Sequence, residues 1–255
     1  MQLQSYYWKG ATVPAADREA MDRLFDTHLP IDQRKEALTK LLTSDSVVAR
    51  GIALDFYCIS NANLRFGNEP MIDDTIDAAV RASALRELER PPYERSETEP
   101  TPRRGANHAS ALGALSHNAD PADASLLARV LRENDDEQVL QEGVDAAEPV
   151  LRGEPAHADL VAVLLDISSR QGLDPRIRAG AITAISGSAD EKVVPLLSRS
   201  LADPELAVSA AAARALLERD LERYRSIVGP VAAAWLTGEF PPYDVHEVRR
   251  LLEGD

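Results

Sequence analysis

The stretch from Ala109 onward repeats itself 70 positions later. Ala109, Ala111, Leu112, Ala114 and Leu115 fall on Ala179, Ala181, Ile182, Ala184 and Ile185, and Ser116, Ala119 and Asp120 fall on Ser186, Ala189 and Asp190. Leu126, Leu127, Arg129 and Leu131 carry the register on to Leu196, Leu197, Arg199 and Leu201 without a gap. An internal match of this length constrains the chain to stacked copies of one supersecondary unit, each burying its apolar face on its neighbours. Seventy residues make two units of 35: Ala147 and Val150 stand 35 after Leu112 and Leu115, and Val161 stands 35 after Leu126. A later unit follows at a shift of 31, with Leu216 in the place of Ile185 and Val228 and Ala232 in those of Leu197 and Leu201.

Each unit reads as two helices. Ile177, Ala181, Ile182, Ala184 and Ile185 recur at helical spacing, and Val193, Val194, Leu196, Leu197 and Leu201 do so again. Asp120-Pro121, Asp174-Pro175 and Asp203-Pro204 mark helix starts, where Asp accepts from orphan N–H groups and Pro fits the first turn. Aromatic residues are only 5% of the chain, so the core is built from Ala, Leu, Val and Ile. That composition suits closely stacked helices, not a sandwich of strands.

The runs His108–Ala147 and Arg178–Leu217 resemble HEAT repeats, in particular the short HEAT-like variety also found in phycobilisome lyases. The residues that carry the likeness are Asp174-Pro175-Arg176-Ile177-Arg178-Ala179-Gly180-Ala181. The resemblance implies a right-handed all-α solenoid of about six HEAT-like helix pairs, an α-α superhelix. It also implies a ladder of Asp and Arg between repeats, for which Asp174 with Arg178 and Asp45 with Arg50 are the candidates. The likeness is clear over residues 105–236 and concerns architecture.

Residues 1–90 read as the same architecture with weaker signatures. Asp32 is placed to cap a helix through Ala37, Leu38, Leu41 and Leu42, a second helix covers Val47 to Ala62, and a third Met71 to Leu88. Tyr6-Tyr7-Trp8 is expected to cover the open end of the stack. Residues 91–104, with four prolines and no apolar period, read as a disordered loop dividing these repeats from a second, continuous set over 105–255. If the loop has a role, Tyr93, Arg103 and Arg104 are its contact residues.

The search for chemistry returns little. Five histidines (His28, His108, His117, His157, His246) are never paired at i, i+4, and the metalloprotease, phosphate-loop, dinucleotide and nucleophile-elbow motifs are missing. Deoxyhypusine hydroxylases share a HEAT-like scaffold but repeat His-Glu; here it occurs once, at His246-Glu247. Two carboxylate clusters, Asp73-Asp74 with Asp77 and Glu133 with Asp135-Asp136-Glu137, are read as helix-start residues favoured by the helix dipole. The expectation is no enzyme, no catalytic residues, no cofactor and no metal.

Net charge −14 repels nucleic-acid phosphates and anionic lipid and attracts basic proteins. HEAT-like DNA glycosylases and bilin lyases therefore fit poorly: Arg214 to Asp220 interleaves basic with acidic residues, and nothing marks a tetrapyrrole pocket. The single cysteine, Cys58, excludes an internal disulfide framework. No segment approaches the roughly 18 apolar residues of a membrane span, and Met1–Trp8 lacks the features of a signal peptide, so the expectation is a cytoplasmic protein. The expected function is an adaptor or scaffold that binds another protein, basic in character, through an acidic solenoid surface. The alternative is an immunity or inhibitor protein that neutralises a basic toxin or enzyme.

Overall fold

The computed structural model describes residues 7–64, 71–94, 104–152, 157–235, 238 and 241–254. Among them lie thirteen α-helices, one 3-10 turn and no strand. The fold is an all-α solenoid of helix pairs. Two compact units divide the chain, Met1–Ala119 with Asn134–Ala146, and Asp120–Glu133 with Ala147–Asp255.

In the first unit, α1 (Ala15–Phe25) packs on α2 (Ile31–Leu42), and α3 (Val47–Leu64) and α4 (Asp74–Leu88) both pack on α5 (Ala106–Asn118). Every residue from Gly105 to Leu115 is buried. Ala106, Ala109, Ser110, Ala111, Gly113 and Ala114 leave room for neighbours on all sides, so a helix with little amphipathicity becomes the centre of the unit. Leu112 and Leu115, both at 0% exposure, contribute roughly 1.5–3 kcal/mol each by burial. The first part of α7 (Glu137–Leu151) also belongs here.

In the second unit, α9 (Pro175–Ile185), α11 (Leu206–Arg219) and α13 (Tyr243–Glu253) pack side by side in one layer. The helices α6 (Ala124–Glu133), α8 (Ala158–Ser169), α10 (Val193–Ser200) and α12 (Leu221–Ala233) accompany it: α6 packs on α8, α8 on α9, and α10 and α12 on α11. The 70-residue register therefore places α5 on α9 and α6 on α10, and it extends to α7 on α11.

The helix starts follow local chemistry, with corrections. Asp174 caps α9 by accepting from Arg176 N–H at 2.8 Å, and Asp120 forms a capping box on the Pro121–Asp123 3-10 turn. Asp203 is not a helix cap: α11 begins at Leu206, and Asp203 accepts from Glu205 N–H at 3.0 Å within the preceding turn. Pro30 occupies the N-cap of α2, which leaves Asp32 inside the first turn, where it acts through the helix dipole. The third expected helix starts at Asp74, with Asp73 as its cap.

Both arginines expected in a ladder are buried and paired, each with an acid from further along the chain. Arg178, 2% exposed, grips Asp203 with two nitrogens and donates Nε–H to the Ser168 carbonyl at 3.2 Å. Asp174, its expected partner, pairs with Arg176. Arg50 pairs with Glu87 at 2.5 Å, not with Asp45, and donates to the Ser44 carbonyl at 2.5 Å. Each arginine bridges a later carboxylate, Glu87 of α4 or Asp203 after α10, and a carbonyl at an earlier helix end. An acid four or five residues earlier sits at the start of the arginine's own helix; stitching two helices needs one from another element.

Candidate functional site

Two faces of the repeat layers differ in what covers them. In the first unit the face of α3, α5 and α7 is covered by the chain's own Tyr7 and Trp8. Trp8 is 0% exposed and lies across Gly51 of α3, where an added Cβ would sit 2.1 Å from its ring. Its indole N–H donates to Ser110 Oγ at 2.9 Å, and the Ser110 hydroxyl donates to Asp55 at 2.5 Å. Tyr7 N–H donates to the other Asp55 oxygen at 3.3 Å, and the Tyr7 hydroxyl donates to Glu142 of α7. Glu142 reaches this position because Gly113 has no side chain: a Cβ there would lie 2.8 Å from Glu142 Oε2 and 3.5 Å from Cys58 Sγ. Tyr93 completes the cover, its ring edge-on to Trp8 at 5.3 Å between centroids.

Burial sets the electrostatics of this cluster. It pushes Glu142 up to about 7, with the Tyr7 hydrogen bond opposing the shift and the charges of Asp145 and Asp55 adding to it. Burial also drives the Cys58 thiol far above its ordinary value, helped by the charges of Asp55 and Glu142, so this thiol is poorly nucleophilic. Tyr57 moves the same way, by burial and by donating to Asp77 at 2.6 Å.

In the second unit the corresponding face is open. A shallow cleft of about 160 Å³ lies between the end of α7, α9 and α11. Leu151, Ala184, Ala211 and Ala215 are its apolar lining, and Glu148, Arg152, Thr183, Ser186, Gly187, Arg214 and Glu218 complete it. Its charges are matched in pairs. Arg152 holds Glu148 at 2.7 Å, and Arg214 donates to Glu218 at 2.8 Å and to Asp244 at 3.0 Å. Burial works against the Arg214 charge, but these bonds outweigh it and hold its pKa above the ordinary value. Tyr243, 68% exposed, stands beside Arg214 at 5.8 Å, and Arg250 pairs with Glu247 at 2.9 Å.

The residues singled out from sequence distribute as follows. Trp8 does not cover a terminal helix pair; its contacts are with α3, α5 and Tyr93, because Gly51 offers a slot of indole width. Tyr6 and Arg103 lie outside the described residues. Tyr93 is held in place: its N–H donates to Asn107 Oδ1 at 2.7 Å, and its carbonyl accepts from Gly105 N–H at 2.9 Å. Arg104 is exposed, 3.7 Å from Glu94. Asp73 holds Lys35 at 2.7 Å and Ile76 N–H at 2.9 Å, while Asp136 accepts from Gln138 and Val139 N–H. Asp73 and Asp136 thus cap α4 and α7, whereas Glu133 stands at the end of α6 beside Arg129 and not at a helix start; among the described residues no group of three His, Cys, Asp or Glu could hold a metal ion. Sequence reasoning missed Asp55, Ser110 and Glu142, which stand 55 and 32 residues apart. Their only mark in the sequence is polar residues on otherwise apolar helices.

No family model matches the chain, and no curated protein matches it. Among solved structures it is similar to a designed armadillo repeat protein at 18% identity, over 80% of this chain and 91% of that one, with a TM-score of 0.52. It also matches an engineered protein at 15% identity, over 93% of this chain and 72% of that one, with a TM-score of 0.49. The first likeness concerns the fold: stacked helical repeats. Among the described residues no helix is long and apolar enough to cross a membrane.

Proposed function

We propose that this chain is a non-enzymatic protein-interaction module, an adaptor or scaffold that holds a segment of a partner protein against its helix-repeat face. One observation carries the reading. The α3–α5–α7 face already receives a non-helical segment of polypeptide, with an indole across Gly51, a backbone N–H on Asp55 and a phenol on Glu142. The α9–α11 face is built in the same register and is open, with small side chains along its floor and polar groups at its edges. Such a surface takes an extended segment by area and by hydrogen bonds. The repeats are read as the HEAT-like variety, and the compartment, from the lone free thiol of Cys58, as the cytoplasm.

The partner segment is read as basic. Net charge −14 steers cations towards the chain, and Arg152, Arg214 and Arg250 are each occupied by a carboxylate of their own. The test is to pan displayed random linear peptides against the full chain, with Thr183→Arg as counter-target. Basic peptides should be recovered, bind more weakly as salt rises, and lose about tenfold or more in affinity on Thr183→Arg. Recovery of none, or binding indifferent to both salt and Thr183→Arg, overturns the reading.

A further inference from the structure

We propose that the Tyr7–Trp8 segment is a releasable latch over the α3–α5 face, held shut by a proton on Glu142 and loosened when that carboxyl ionises. The latch has a fixed end and a pivot. A turn closed by Ala11 N–H to the Trp8 carbonyl at 3.0 Å follows the segment, with Gly10 at φ 83°. That left-handed geometry suits glycine and lets the chain reverse towards α1. Ahead of the pivot, Trp8 sits in the Gly51 slot, and Tyr7 bridges α3 and α7 through Asp55 and Glu142.

The control lies in what surrounds Glu142. Tyr7 faces it from the segment, Asp55 and Cys58 from α3, and Asp145 from its own helix; α5 presents Gly113. Every ionised group acting on Glu142 is negative. A neutral carboxyl accepts the Tyr7 hydroxyl without cost. An ionised one strengthens that bond but must stay buried beside Asp55 and Asp145. Burial and repulsion win, so the seated carboxyl binds its proton more tightly than one in water. A raised value means that the seated state is fully favoured below the ordinary carboxylate range and loses ground as pH rises to about 7. The proton passes to solvent, and the segment pivots at Gly10 and uncovers Ser110, Gly113 and Gly51. The loss is at most tenfold per pH unit, so release should rise on the order of a hundredfold between pH 5 and 8.

The latch stands apart from the reading of the α9–α11 face, since its test needs no partner. Hydrogen exchange by NMR on the full chain would give protection factors for the Tyr7 amide and the Trp8 indole N–H from pH 5 to 8.5. Both should fall on the order of a hundredfold, and at every pH both should remain less protected than the Leu112 amide of α5, because the segment opens without unfolding the helix. Glu142→Gln, neutral at every pH, should flatten the profile. Tyr7→Phe removes the one bond that favours ionisation, so the fall should persist with its midpoint displaced upward. A flat profile in the parent chain, the same fall in Glu142→Gln, or Trp8 as strongly protected as Leu112 at every pH would each overturn the latch.

Discussion

Gly51→Ala sets two effects of opposite sign against each other. Gly51 lies within α3, where alanine is the better helix former by about 1 kcal/mol, so propensity alone predicts a more stable protein. The added Cβ, however, would stand 2.1, 2.2 and 2.4 Å from Cε2, Nε1 and Cζ2 of Trp8, far inside the 3.4–4 Å of ordinary contact. The interior is too dense to absorb this by relaxation, and the ring is tied at its edge to Ser110 and Tyr93. The indole must leave. Losing a buried Trp costs ~3–5 kcal/mol, and its hydrogen bond to Ser110 about 1 more. Against a gain of about 1 from propensity, Gly51→Ala should destabilise the protein by roughly 3 kcal/mol or more. In a Trp8→Ala background the slot is vacant, and the same substitution should instead stabilise by about 1 kcal/mol. Urea unfolding followed by circular dichroism on the four proteins of this cycle yields a coupling of about 4 kcal/mol or more between sites 43 residues apart. A stabilised Gly51→Ala single variant would refute the seat of Trp8.

Arg178→Ala should cost ~3–5 kcal/mol by stranding Asp203, whereas Asp174→Ala should cost about 1 as a lost cap. A cycle pairing Arg178→Met with Asp203→Leu should show strong coupling, and one pairing it with Asp174→Ala should show little. Raising the pH from about 5 to 8 should lower the stability of the parent chain relative to Glu142→Gln by on the order of 3 kcal/mol, because the folded state binds the Glu142 proton more tightly. Thermal unfolding of the pair across that range measures the difference. Cys58 should react with iodoacetamide at pH 8 far more slowly than a model thiol, because burial and the charges of Asp55 and Glu142 hold its pKa up; a rate equal to the model thiol's would contradict that environment.

What the sequence makes legible is whatever repeats. Helical periods, Asp-Pro starts and the 70-residue register are local or regular, and they anticipate α5, α6, α9, α10 and α11. The helix α1 and the terminal α13 carry no repeat match and were not anticipated. Partners across helices are harder. Arg178 and Arg50 announce themselves as buried arginines in a HEAT-like pattern, but the choice of Asp203 over Asp174 depends on how far one turn reaches past the next. The Trp8 slot is harder still: Gly51 reads as a mildly unfavourable helix residue until the chain is folded. Only then does the missing Cβ become the reason an indole fits.

The two registered helices show where function parts from packing. Under the 70-residue shift, Leu112 and Leu115 fall on Ile182 and Ile185, all buried to 0%. Among the departures are Ser110 for Gly180, Gly113 for Thr183 and His117 for Gly187. In α5, Ser110 takes the Trp8 indole, and Gly113 makes room for the Glu142 carboxyl. In α9, Thr183 and Gly187 line the open cleft. Leu112, Leu115 and their counterparts hold helices together, whereas Ser110, Gly113 and Thr183 bear on whether the face is filled from within. Exchanging them is thus informative: Gly113→Thr should push Glu142 aside and loosen the latch. Thr183→Gly should widen the cleft while leaving α9 packed on α8 and α11.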